Sequence, residues 1–171
     1  MPSNDQTARL KFALENYVKP GLASVAGGFN SLARQQQVLG TGNRESNFIA
    51  TVQDGGGPAL GFFQMEPATQ HDLNVNYIRF RPHLLSAVQA ITGKLEPDAD
   101  TLRTNPVYAA LMCGIQYLRS PHPLVMPFHS VGQACLWKLA YNGPGKGVIT
   151  EAVQYFEAAN GVFDNGPHAS A

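Results

Sequence analysis

Three short segments of the chain carry polar side chains in surroundings where plain packing does not call for them. Each sets a carboxylate, an amide or a phenol among apolar or glycine-rich neighbours. The segments are Gly42–Ser46, Gly61–Pro67 and Ala140–Gly145. Amide and hydroxyl groups can hydrogen-bond a sugar, and a carboxylate beside them can transfer a proton. The three segments are therefore the first candidates for a site that performs chemistry.

Glu45 is the carboxylate best placed for acid catalysis. Apolar residues surround it in the sequence, among them Leu39, Phe48 and Phe63. If the side chain is held against them, loss of hydration disfavours its charged form and raises its pKa. A carboxylic acid that is still protonated near neutral pH can give a proton to a leaving oxygen, as the cleavage of a glycosidic bond requires.

The composition limits the number of candidate carboxylates and predicts which classes of partner the protein lacks. The chain has 171 residues, which predicts one domain, and 44% of them are hydrophobic, which is enough to build a core. Only 14% are charged, and the twelve acidic residues are the whole set of candidate carboxylates. Twelve basic residues balance them, so the neutral chain predicts no nucleic-acid or anionic-membrane partner.

Apolar periodicity predicts a mostly α fold, with at most a small β-hairpin beside the site. The first predicted helix is Asp5–Lys19, which ends at Pro20–Gly21, and the second runs from near Asn30 through Ser46. Further helices are predicted at Pro67–Leu73, from Pro82, from Asn105–Pro106, from a cap at Ser130, and at Thr150–Asn160. The helix ends and the segments between them must position the candidate residues. The segment Gly61–Met65 is predicted to be extended, Tyr141–Gly147 to be a loop, and residues 164–171 to be a flexible tail.

The three segments, in this order, resemble the lysozyme-like superfamily in its branch of lytic transglycosylases and goose-type lysozymes, and in particular phage-encoded members. Members carry a Glu–Ser pair at a helix end, a Gly-x-x-Gln-Met-like segment before a helix, and a later Tyr-Asn turn. The matching stretches here are Glu45–Ser46, Gly61–Met65 and Ala140–Gly145. The resemblance covers about residues 33–148 and leaves residues 1–30 as an N-terminal helical extension.

The resemblance implies a mostly α, lysozyme-like (α+β) domain over residues 1–171 that cleaves peptidoglycan. Glu45 would be the general acid that protonates the β-1,4 glycosidic oxygen between N-acetylmuramic acid and N-acetylglucosamine. Ser46 would orient the acid or the muramoyl group, and Tyr141 would hydrogen-bond near Glu45 and hold it in place.

The remaining residues that the resemblance assigns would bind substrate. Gln64 and the backbone of Phe63 would hydrogen-bond the N-acetyl group of a sugar, and Asn142 would line the cleft. The reaction needs no cofactor and no metal.

A second carboxylate would decide the outcome of the reaction. An inverting lysozyme needs one to activate water, whereas a lytic transglycosylase captures the glycosyl centre with the substrate's own C6 hydroxyl. Glu66 matches a functional position of the hydrolysing branch, and Asp54 lies in a loop where that branch carries acids. Glu66 is equally typical of an ordinary carboxylate at a helix start. The sequence leaves the two branches open.

Other functions remain open at this stage. A catalytically inactive virion or scaffold protein of the same fold is one alternative, and a peptidoglycan amidase or peptidase is another. For the glycosidase, we expect a monomer whose partner is the glycan strand, with a virion protein as a second candidate partner. The polar start Met1–Leu10 does not resemble a secretory signal. Release through holin-made lesions, or carriage on a virion, would then bring the protein to the cell wall.

Three remaining features favour structural roles. The spacings of the histidines fit no zinc pattern. Cys113 and Cys135 lie among apolar neighbours and are predicted to be buried free thiols. Trp137 lies in an apolar helix and is predicted to be a core residue, and no apolar run is long enough to span a membrane.

Overall fold

The computed structural model describes residues 4–163, and of Asp54 it describes the backbone alone. This part of the chain is mostly helical, as the apolar periodicity predicts. Its α-helices are α1 (Asn4–Ala13), α2 (Lys19–Ala23), α3 (Leu32–Ser46), α4 (Pro67–Asn76), α5 (Pro82–Thr92), α6 (Thr101–Thr104), α7 (Pro106–Arg119), α8 (Ser130–Trp137) and α9 (Ile149–Asn160). Short 3-10 turns lie at Asp54–Gly56 and Ile78–Phe80. The tail predicted to be flexible, residues 164–171, lies outside the described residues.

The first helical stretch continues past Pro20–Gly21, where the sequence predicted its end. Helices α1 and α2 are continuous because Leu14–Val18 forms a π-helical turn between them. In this turn the amide of Lys19 donates to the carbonyl of Leu14. The wider turn accommodates Pro20, which has no amide hydrogen to complete the usual bond to the residue four positions before it.

Gly21 marks a close approach of two helices and not a helix stop. A Cβ atom at this position would lie 2.6 Å from the carbonyl oxygen of Val107 and 3.2 Å from the amide nitrogen of Leu111. Both neighbours are backbone atoms of α7, so no side chain can move aside to admit a larger residue. The glycine therefore lets α2 lie directly on α7.

Helix α7 is the centre of the fold, and it is buried over most of its length. Helices α2, α3, α4, α5 and α6 all pack against it. Asn105 caps its first turn by accepting a hydrogen bond of 3.0 Å from the amide of Tyr108, and Pro106 occupies the first helical position, as predicted. Helix α3 packs against α9, and α9 packs against α8, so the acid-bearing helix lies between the core and the C-terminal pair.

The start of α8 differs by one residue from the prediction. The cap is His129, whose Nδ1 accepts a hydrogen bond of 2.9 Å from the amide of Gly132. The predicted cap, Ser130, instead accepts a hydrogen bond of 3.0 Å from the side-chain amide of Asn160 in α9. The ring nitrogen of His129 is thus the capping acceptor, and the hydroxyl of Ser130 connects α8 to α9.

The segment between α3 and α4 contains two isolated antiparallel bridges, Val52 with Leu60 and Leu60 with Met65. Leu60 and Met65 exchange both backbone hydrogen bonds, at 3.0 and 3.2 Å. This pairing is the small β element that the sequence allowed. The segment Gly61–Met65 is a tight turn closed by that pair, and not the extended run that was predicted. No helix within residues 4–163 is both long and apolar enough to cross a bilayer.

The Gly21 contact predicts a stability difference between two glycine substitutions. Gly21→Ala should lower the free energy of unfolding by roughly 1–3 kcal/mol, the usual cost of overpacking, although alanine favours a helix by about 1 kcal/mol. Gly161→Ala is the control, because a Cβ there would lie 3.5 Å from its nearest neighbours. Urea unfolding of both variants measures the difference, and a Gly21→Ala protein as stable as the wild type would contradict the account.

Candidate active site

Glu45 lies in the last turn of α3, half-buried, and its carboxylate has one short hydrogen bond. The donor is the indole Nε1 of Trp137, the last residue of α8, at 2.7 Å from Oε1. Trp137 is 1% exposed, which confirms that it belongs to the core. Its N–H nevertheless meets the carboxyl group that the sequence singled out, because a buried indole needs a polar partner for this hydrogen.

Burial raises the pKa of Glu45 above its ordinary value of 4.5. Two smaller effects oppose the shift: the hydrogen bond from Trp137 and the positive charge of Arg44 both stabilise the carboxylate. The net direction is upward, because loss of hydration outweighs one hydrogen bond and one neighbouring cation. The side chain therefore keeps its proton to a higher pH than a solvated glutamate does.

The guanidinium of Arg44 lies over the indole ring of Trp137. Its central carbon lies 5.1 Å from the ring centroid of Trp137 and 5.4 Å from that of Tyr155. Glu151 of α9 lies 4.0 Å from the same guanidinium. Cation–π contacts of this kind hold a ring in place at modest energetic gain, so the indole that meets Glu45 is held by α3 and α9 together.

Ser46 joins the end of α3 to the Gly61–Met65 turn. Its hydroxyl donates to the carbonyl of Phe62 at 2.7 Å and accepts from the amide of Phe48 at 3.1 Å. The resemblance implied that Ser46 orients the acid or the muramoyl group. Among the described residues its hydroxyl bonds to backbone atoms, so it positions the helix end beside the turn.

The end of α3 is closed by two residues with left-handed backbone. Asn47 has φ 54° and Phe48 has φ 53°, a conformation that costs about 1–3 kcal/mol for a bulky residue. The ring of Phe48 packs on Gly42, where a Cβ would lie 2.4 Å from its Cζ. It also meets Phe63 edge to face, with centroids 5.8 Å apart. This packing holds the backbone of Asn47 and Phe48 in its strained conformation directly after the end of α3.

Gln64 completes the tight turn and binds the turn itself. Its backbone amide and its side-chain Nε2 both donate to the carbonyl of Gly61, at 3.0 and 2.9 Å. Gly61 has φ +74°, and a Cβ there would lie 2.1 Å from the carbonyl oxygen of Leu102. Glycine is therefore required at this position. The Oε1 of Gln64 has no partner among residues 4–163 and is the atom left to receive a ligand N–H.

Tyr141 contacts this turn and not the carboxylate. Its hydroxyl donates to the carbonyl of Phe63 at 2.8 Å, and its ring stacks on Tyr117 with centroids 5.7 Å apart. The hydrogen bond to Glu45 comes from Trp137, one helical turn earlier. Tyr141 lies in the π-helical turn Lys138–Asn142. Burial raises its pKa, and the nearby charge of Glu45 adds to the rise. Phe63 itself is fully buried, and its carbonyl is occupied by this bond.

Asn142 ends the same π-helical turn, within the segment that was predicted to be a loop. Its Oδ1 accepts a hydrogen bond of 2.8 Å from Lys138, and Lys138 also bonds the carbonyl of Gly145. Asn142 therefore shapes the turn that follows, while its side-chain nitrogen has no partner among the described residues.

The two candidate second carboxylates, Glu66 and Asp54, stay predictions. Glu66 is exposed at the residue before α4, and its side chain makes no capping bond. Asp54 lies in the 3-10 turn Asp54–Gly56, and its side chain is outside the described part. In residues 4–163, no group of three His, Cys, Asp or Glu residues is arranged to hold a metal ion.

Cys113 lies beneath the site as a buried free thiol, as predicted, while Cys135 is half-buried and also free. Burial raises the pKa of the Cys113 thiol well above its ordinary value. A thiol of this kind stays protonated and is a poor nucleophile.

Trp137 offers a direct test of the site, because it is the chain's single tryptophan. Its fluorescence should change with pH in one step as Glu45 ionises, with a midpoint above the ordinary 4.5. Glu45→Gln should remove this step, since the amide does not titrate. The exposed Glu157 of α9 supplies the control, and Glu157→Gln should leave the curve unchanged. A pH step that persists in Glu45→Gln would contradict the assignment.

Comparison of the chain with protein-family models, with curated proteins and with solved structures finds no match in any of the three.

Proposed function

We propose that the protein is a glycosidase that cleaves the β-1,4 bond between N-acetylmuramic acid and N-acetylglucosamine in peptidoglycan, with Glu45 as the general acid. The observation that carries the proposal is the state of Glu45. It is half-buried, its pKa is raised by burial, and one N–H donor holds it. A carboxylic acid whose pKa is raised keeps its proton to a higher pH, as a general acid requires.

The chemistry assigned to Glu45 is a single proton transfer. Its carboxylic proton passes to the glycosidic oxygen as the bond to the anomeric carbon breaks, and positive charge develops on the sugar ring. The carboxylate that remains is stabilised by the hydrogen bond from Trp137 and by the charge of Arg44. The groups that lower the pKa of the resting acid thus stabilise its ionised form after transfer.

Sugar-binding groups lie on the elements that border this acid. The turn with Gln64 is bound to the end of α3 through Ser46 and to α8's extension through Tyr141. The free Oε1 of Gln64 suits the amide N–H of an N-acetyl group, and Asn142 offers a side-chain nitrogen. Neutral polar groups of this kind suit a ligand that is recognised by hydroxyls and amides.

The proposal includes both branches of the reaction. Attack by the C6 hydroxyl of the muramoyl residue would give a 1,6-anhydro end, and attack by water would give a reducing end. The water route needs a second carboxylate, for which Glu66 and Asp54 are the candidates. Attack by the C6 hydroxyl needs no carboxylate besides Glu45.

Wall lysis or wall penetration by a phage is the proposed use, with a monomer acting on glycan strands. Delivery through holin-made lesions or on a virion belongs to the same proposal. An amidase or peptidase that uses Cys113 as its nucleophile is less well supported, because burial raises the pKa of Cys113 and keeps the thiol protonated. The activity measurement below distinguishes the glycosidase from an inactive virion protein of the same fold.

Purified protein should lyse cell walls, and Glu45→Gln should lower the rate at least about 100-fold, the usual contribution of a general acid. Glu157→Gln, an exposed carboxylate on α9, should keep full activity. Mass analysis of the released fragments assigns the branch, since anhydro ends indicate a transglycosylase and reducing ends a hydrolase. With reducing ends, Glu66→Gln should also be inactive. Lysis that survives Glu45→Gln, or fragments with uncut glycan, would overturn the proposal.

Trp137→Phe should move the pH dependence of cleavage upward. Activity that needs protonated Glu45 is present below its pKa and is lost as the pH rises through it. The indole N–H lowers that pKa, so its removal raises the pKa and shifts the falling limb of kcat/KM to higher pH. A falling limb that stays in place, or moves to lower pH, would show that the indole does not tune the acid.

A further inference from the structure

The N-terminal helix α1 makes polar contacts with the end of the helix that carries Glu45. Its first residues, 4–9, are exposed or half-buried, and the buried residues of this helix are Leu10 and Ala13. The first turns of α1 therefore add little to the hydrophobic core. They reach the C-terminal turn of α3 with two polar side chains, Gln6 and Arg9. Hydrogen bonds, and not apolar burial, thus connect this part of α1 to α3.

Arg9 binds the backbone at the point where α3 ends. Its Nε donates to the carbonyl of Asn47, the C-cap of α3, at 3.2 Å, and its Nη1 pairs with the exposed Asp5. A guanidinium here satisfies a carbonyl at the helix end, and its charge complements the negative end of the helix dipole. Asn47 is one of the two residues with left-handed backbone. Arg9 therefore bonds directly to the bend that follows Glu45 and Ser46.

Gln6 connects α1 with α3 and, through Asn43, with α9. Its side-chain amide donates to Oδ1 of Asn47 at 3.2 Å and to Oδ1 of Asn43 at 3.4 Å. Asn43 is fully buried, and its own side-chain nitrogen donates to the carbonyl of Tyr155 in α9 at 2.8 Å. The ring of Tyr155 lies 5.4 Å from the guanidinium carbon of Arg44. One series of hydrogen bonds thus joins α1, the last turns of α3 and α9.

We propose that α1 is a positioning element of the site, in which Arg9 and Gln6 hold the backbone directly after the helix turn that carries Glu45. The inference rests on the proposed function in naming Glu45 as the acid, whereas the positioning itself is a property of the folded chain. When these contacts are lost, the left-handed bend relaxes, the last turn of α3 frays and water reaches the carboxyl group. Arg9 acts through the backbone of Asn47, so it is a positioning residue and not a catalytic one.

The direction of a change in the pKa of Glu45 distinguishes this positioning from a direct effect of charge. The charged or titratable groups that face Glu45 are Arg44 on α3, Cys113 and Tyr117 on α7, Tyr141 after α8, and Glu151 on α9 through its pair with Arg44. Burial raises the pKa of the thiol and of both phenols, so these three groups stay neutral where Glu45 titrates. Removing the positive charge of Arg9 would by itself raise the pKa of Glu45 or leave it unchanged, whereas hydration lowers it.

The fluorescence step of Trp137 that follows the ionisation of Glu45 measures the positioning without any cleavage. In Arg9→Gln its midpoint should fall toward the ordinary 4.5, because the carboxyl group gains hydration. Glutamine forms helices about as well as arginine, so α1 keeps its helical propensity. Gln6→Ala removes the other hydrogen bonds between the two helices and should also lower the midpoint. It replaces Arg9→Gln in the test if far-UV circular dichroism shows that Arg9→Gln does not fold.

Two variants in the same helical stretch are the controls. Asp5→Asn removes the ion pair of Arg9 and keeps its hydrogen bond to Asn47. Lys19→Gln removes an exposed pair of the same i, i+4 spacing, the one with Glu15. Both controls should keep the wild-type midpoint, because neither removes a contact between α1 and the end of α3.

Cleavage of cell walls gives the second measurement. Arg9→Gln should lower kcat roughly tenfold to a hundredfold and keep KM, because a misplaced acid slows the chemical step and leaves substrate binding intact. An unchanged midpoint in Arg9→Gln, a raised midpoint, or an equal fall in the controls would overturn the positioning. A wild type that cuts no glycan would overturn the glycosidase, while the midpoints would still decide whether α1 positions Glu45.

Discussion

The hydrogen bond from the indole of Trp137 to Glu45 sets the balance on which the site depends. Burial without a donor would leave a carboxyl group that is costly to ionise at all, and full hydration would return it to an ordinary glutamate. Glu45 lies between these extremes, because it is half-buried and accepts one hydrogen bond from the indole N–H, and the guanidinium of Arg44 lies over the indole ring. The arrangement requires α3, α8 and α9 to keep fixed positions relative to one another, and much of the packing around the site serves that requirement.

Small residues make this fixed arrangement attainable. On α3, a Cβ at Gly40 would lie 2.1 Å from the ring of Phe156 in α9, and one at Gly42 would meet the ring of Phe48. Each glycine weakens the helix by about 1 kcal/mol relative to alanine. Helix α3 therefore depends on its neighbours for stability, and its C-terminal turn takes its shape from the rings that fill these gaps. With alanine at Gly40, α3 could not pack as closely on α9.

The sequence predicted the features that depend on local rules and missed those that depend on distant contacts. Periodicity located the helices, and Asn105–Pro106 marked a helix start whose cap is as expected. The pair Pro20–Gly21 was misread as a stop because the reason for the glycine, the backbone of α7, is remote in the sequence. Trp137 was assigned to the core alone, since its partner lies 92 positions away. The signal that could have exposed it is chemical: a buried indole needs an acceptor, and Glu45 was the carboxylate already singled out.

The two parts of the site lie far apart in the sequence and are therefore synthesised at different times. Glu45 belongs to the first third of the chain and its indole donor to the last third, and the side-chain amide of Asn43 donates to the carbonyl of Tyr155 across 112 positions. Such contacts can form only when both parts of the chain have been synthesised. On a chain still leaving the ribosome, the carboxyl group of α3 is hydrated and ionises like any surface glutamate. The raised pKa of Glu45 is therefore a property of the folded chain, since its burial beside Trp137 requires the C-terminal helices to dock.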